Sequence, residues 1–70
     1  IMKKLNKVAG YRAMLGFSQR EMAELFGISK QAYSAKERGL TNFKKSEMII
    51  FKNLLIEYIP EISIDEIFFD

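Results

Sequence analysis

The sequence predicts an all-α fold of five short helices, and three observations carry that expectation. Ser18–Glu21 and Ser63–Glu66 have the Ser-x-x-Glu spacing of a capping box, in which each side chain satisfies the other residue's unpaired backbone N–H. Gly16, Gly27, Gly39 and Pro60 each fall where an apolar helical pattern runs out. No segment alternates apolar and polar residues as a half-buried strand does. No repeat, low-complexity tract or linker divides the chain, so residues 1–70 are expected to form one domain.

The first helix is expected over about residues 3–15, with Leu5, Val8, Arg12 and Leu15 on one face and Gly16 as its stop. Gly10 lies in its interior, where glycine costs up to ~1 kcal/mol relative to alanine, and the sequence offers no functional reason for it. The second helix is expected over about 19–26. Ser18 caps it, Phe17 and Met22 stand at staple spacing, and Met22, Leu25 and Phe26 follow a 3.6-residue period around small Ala23. Gly27 ends it, because glycine enters the left-handed conformation without penalty. Ile28 plugs the turn and Ser29 caps a third helix over about 30–38, with Ile28 and Tyr33 as its staple and Gly39 as its stop.

A loop follows, with Phe43 expected in the core. The fourth helix is expected over about 46–59, closed by Pro60. Its apolar residues, among them Met48, Ile49, Ile50, Phe51, Leu54, Leu55, Ile56 and Ile59, cover more than one stripe. One stripe serves the core; the surplus, with the Ile67-Phe68-Phe69 tail, either forms a dimer surface or is core as well. The fifth helix, about 64–69, is capped by Ser63, stapled by Ile62 and Ile67, and folds back through Ile64, Ile67 and Phe68.

Composition narrows the function. The chain has no cysteine and no histidine, which excludes disulfides, zinc sites of thiolates or imidazoles, and histidine-activated nucleophiles. No metal and no cofactor is expected. Half the residues are apolar (49%), which favours a globule over disorder. No apolar run approaches the ~18 residues of a membrane span, and "IMKKLNKV" leads into no signal-peptide core, so a soluble cytoplasmic protein without membrane contact is expected. The net charge of +2 hides an asymmetry. Residues 1–45 carry ten Lys/Arg against three Glu, a net +7, whereas residues 46–70 carry one Lys against six acids, a net −5. A basic front is suited to a polyanion, although two ordinary solvated faces would read the same way.

The second and third helices are each too short to be stable alone, since roughly 12–15 residues are marginal in water. Joined by the Gly27 turn, they have the outline of a helix-turn-helix, in which the first element braces the second. Ala23 suits that geometry, because helices crossing close to a turn leave no room for a larger side chain. A generic helix corner shares these features.

"FSQREMAELFGISKQAYSAKERG", residues 17–39, resembles the helix-turn-helix of the lambda-repressor-like, Cro-type (XRE) family of phage and bacterial regulators. Gln19 opens the second helix, Ala23 lies near its middle, Gly27-Ile28-Ser29 form the turn, and Glu37 and Gly39 close the third. "YRAMLGFSQ" and "ISIDEIFF" extend the likeness to about residues 5–69. The resemblance implies a five-helix lambda-repressor-like domain that inserts its third helix into the major groove of a double-stranded operator, commonly as a homodimer. Ser29, Lys30, Gln31, Ser34 and Ala35 would then face base edges: Gln31 can bond adenine bidentately, Lys30 can donate to guanine, and Ala35 can touch a thymine methyl. Gln19, Arg20, Lys36, Arg38, Asn42 and Lys44 would face phosphates. Lys36 departs from the family pattern, which commonly has an apolar residue there. Arg12 and Glu37 occupy the places of an ion pair between the first and third helices.

The rival expectation is a small protein-interaction module of antitoxin or antirepressor type, using the acidic, apolar C-terminal half and binding DNA without sequence preference. An enzyme is not expected. Glu21 and Glu24 share a helix face, but Glu21 has its capping task and neither has a base or metal ligand beside it.

Overall fold

The computed structural model describes residues 6–69, and every structural statement concerns these. The chain forms α1 (Lys7–Leu15), α2 (Gln19–Phe26), α3 (Lys30–Glu37), α4 (Lys45–Leu55) and α5 (Ile64–Phe68), with no strand among the described residues. The expected start of the first helix at residue 3, and Leu5 on its face, lie outside the described residues. Asn6 has extended backbone, and its side chain accepts the Ala9 N–H, so the helix opens at Lys7.

The serine caps place the next elements. Ser18 and Glu21 form a reciprocal capping box at α2, and Ser63 and Glu66 form another at α5. Ser29 accepts the Ala32 N–H at the start of α3. Gly27 adopts φ +72°, and the Ile28 N–H turns back onto the Ala23 carbonyl, which closes α2 and re-aims the chain within two residues.

α4 corrects the expectation twice. It begins at Lys45, where Glu47 accepts the Lys44 N–H, and it ends at Leu55 instead of residue 59. A proline clashes with the carbonyl four residues back and drives the residue before it from helical dihedrals, so Pro60 acts well upstream of itself. The chain unwinds through a turn in which the Tyr58 and Ile59 N–H groups share the Leu55 carbonyl. That turn delivers Ile62 to the core.

Met22, Ala23, Tyr33, Phe51, Leu55, Ile62 and Ile67 form the buried core, so every helix but α1 contributes to it; α1 packs on it through Val8, Tyr11 and Leu15. Phe43 stands at the centre of an aromatic chain. Its ring lies 6.1 Å from Phe26, 6.2 Å from Tyr33 and 5.0 Å from Phe68, and Phe68 continues to Phe51 at 5.6 Å. Tilted and edge-on pairs of this kind add about 0.5–1.5 kcal/mol each beyond burial. The loop between α3 and α4 is thereby pinned at one point. The fifth helix folds back as expected, with Ile67 buried and Phe68 packed on the core, while Phe69 of the tail stays exposed.

Candidate nucleic-acid interface

α3 divides its residues by face. Tyr33 and Glu37, four apart, point inward and are buried. Lys30 and Gln31 are exposed, Ser34 and Ala35 are half-buried, and Arg38 is exposed beyond the end of the helix. Spacings of three, four and seven put these five on one outward stripe. Ser29, at the leading end, is exposed while its hydroxyl holds the cap.

What aims this stripe is the carboxylate of Glu37. Its Oε2 accepts from Arg12 Nε at 2.7 Å and from the Tyr33 hydroxyl at 2.8 Å. Its Oε1 accepts from Gln19 Nε2 at 2.9 Å and Arg12 Nη2 at 3.2 Å. Arg12 spends a further N–H on the Phe17 carbonyl, and Asn6 Nδ2 donates to the Glu37 carbonyl. One carboxylate thus joins α1, α2 and α3. Burial pushes the Glu37 carboxyl up, but hydrogen bonds from Arg12, Gln19 and Tyr33 outweigh it and hold the group below the ordinary carboxylate range. Burial, then the hydrogen bond to Glu37 and its charge, pushes the Tyr33 phenol well above its usual value.

The Arg12–Glu37 pair therefore stands where the sequence placed it. Ala23 is buried in α2, and Gly27 forms the turn. Gln19 differs in part: its amide turns onto Glu37 and leaves one side-chain N–H uncommitted. Arg20, Asn42 and Lys44 are exposed. Arg38 is exposed as well, with its Nε 3.3 Å from the Ser34 carbonyl.

Lys36, expected to face a phosphate, is engaged by a carboxylate of the protein itself. Its Nζ donates to Glu47 Oε1 at 2.6 Å, and its side chain is largely enclosed. The position that the family commonly fills with an apolar residue is here filled by a paired lysine. Glu47, Asn6 and the Tyr33 hydroxyl escaped sequence reasoning. The Tyr33–Glu37 spacing of four was a readable signal; the other two depend on residues brought together by the fold.

A helix-turn-helix family model matches residues 8–51, from within α1 to within α4. The chain belongs to the XRE-type helix-turn-helix family. No curated protein and no solved structure matches it. Members are DNA-binding regulators, so DNA is the partner of this helix-turn-helix. No metal-binding cluster of acidic side chains occurs among the described residues, and no described helix is long and apolar enough to cross a membrane.

Proposed function

We propose that this helix-turn-helix protein is a sequence-specific transcriptional regulator of the repressor type, seating α3 in the major groove of a double-stranded operator. The observation that supports this reading is the outward stripe of α3, whose leading end presents Lys30 and Gln31 to solvent while Tyr33 and Glu37 fasten its back. Gln31 pairs with an adenine edge and Lys30 with guanine acceptors; Ser29, Ser34 and Ala35 make the shorter contacts. Arg20, Arg38, Asn42 and Lys44 meet phosphates, joined by the remaining side-chain N–H of Gln19. These contacts supply most of the affinity and make it steeply salt-dependent. The protein acts where the DNA is, in the cytoplasm.

One such domain reads few base pairs, and a homodimer doubles the site. Ile49, Ile56, Tyr58 and Phe69 keep substantial exposure along α4, the turn after it and the tail, which supports pairing through this side. Two α3 helices would then lie about 34 Å apart, one DNA turn.

Selection from random duplex DNA, followed by gel shift of the enriched sequences, tests the reading. A near-palindromic motif bound far more tightly than random duplex is expected. Enrichment of no motif, with equal binding to all sequences, would overturn it in favour of the protein-interaction module.

A further inference from the structure

The ion pair between α3 and α4 is not used by that reading. Lys36 Nζ and Glu47 Oε1 are 2.6 Å apart, with side chains 11% and 5% exposed. The same oxygen accepts the Lys44 N–H at 2.8 Å, so one atom ties α3 to the residue that opens α4. α3 packs chiefly on α2 and its backbone approaches α4 at few points. Among the described residues, Lys36–Glu47 is the one side-chain hydrogen bond linking these two helices.

Stability alone does not explain a charged pair at this place. An apolar residue of similar volume avoids the desolvation of two charges, and such replacements are often neutral or stabilising. A short charge-assisted hydrogen bond adds direction: it fixes where the first turn of α4 sits along α3. Arg38 leaves α3 just after Lys36, and Asn42 and Lys44 lie on the approach to α4, all exposed. A backbone phosphate tolerates little error in donor position, so the spacing between these groups determines how many engage one DNA strand.

We propose that Lys36 is a positioning residue for DNA-backbone binding, acting through Glu47 to hold Asn42 and Lys44 in register with Arg38. This inference rests on the DNA-binding reading, but not on its sequence specificity. Lys36 itself touches no DNA.

Three variants separate the possibilities: Lys36→Met, Glu47→Gln and the double substitution. Glutamine at position 47 keeps an acceptor for the Lys44 N–H, so the helix start survives while the ion pair is lost. Affinity and its salt dependence are measured on a selected and on a random duplex, at a temperature where far-UV circular dichroism shows each variant folded. All three are expected to bind about three- to tenfold more weakly, the double variant no worse than either single, with log–log salt slopes shallower by about 1–2. Glu47→Gln is the decisive arm, because removing a negative charge from a DNA-binding protein otherwise tightens binding. Tighter or unchanged binding by Glu47→Gln would overturn the inference, as would variants that melt earlier yet bind normally. Salt slopes that behave as stated in a protein lacking sequence preference would sink the operator reading and leave this inference standing.

Discussion

Gln31 and Arg38 lie on the same stripe of α3, yet their removal should have different consequences. On the proposed reading, Gln31→Ala should remove a bidentate base contact worth about 1–3 kcal/mol of discrimination and leave a folded protein. Affinity ratios among operator variants should flatten; unchanged ratios would contradict the role. Arg38→Ala should weaken binding to every sequence alike and make the salt slope shallower by about 1, and a sequence-selective loss would count against a phosphate contact. Glu37 belongs to stability instead. Its carboxyl is held low, so the stabilisation it brings is complete above the ordinary range near 4.3 and is lost as pH falls through its lower native value. Glu47 has the same sign: burial raises it, while Lys36 and the Lys44 N–H lower it further. Urea denaturation should therefore show stability level from about pH 7 to 5 and falling steeply below about pH 4. Glu37→Gln should lower stability at neutral pH and remove much of that acid slope. An acid slope equal to that of the wild type would show that Glu37 does not carry it.

At the scale of elements, two glycines make opposite predictions. An added Cβ would meet nothing within 4 Å at either Gly10 or Gly27, so only backbone conformation distinguishes them. Gly27, at φ +72°, should resist alanine at a cost of about 1–2 kcal/mol. Gly10 lies inside α1, and alanine there should stabilise by about 0.5–1 kcal/mol. Thermal melts of both variants check the pair, and a destabilised Gly10→Ala would reveal a constraint that the fold does not show. The same contrast explains what was legible in the sequence. Ser18, Ser29, Ser63 and Gly27 signal through neighbours one to five residues away, so α2, α3 and α5 could be read from local grammar. The end of α4 was misread because Pro60 unwinds the chain several residues before itself. The pairing of Lys36 was not legible because Glu47, eleven residues on, meets it only in the folded molecule. The DNA-facing set on α3 was implied by the family resemblance. The attachment of that stripe to α1 and α2 through Glu37 was legible only for Arg12, while Gln19 and Asn6 join it through tertiary contact.

For the whole molecule, the division of charge gains a direction. All of the expected DNA-facing residues lie in the first 45, which carry the net +7, and the acidic remainder supplies most of α4 and α5, whose inner faces complete the core. The arrangement leaves one end of α3 free and anchors the other through Glu37 and Lys36. Isotope-labelled protein titrated with a selected duplex and followed by amide NMR tests this most directly. The largest shift changes should fall on Ser29, Lys30, Gln31, Ser34 and Arg38, with smaller ones at Arg20, Asn42 and Lys44. Changes confined to α4, α5 and the turn between them, with the leading end of α3 silent, would contradict the account.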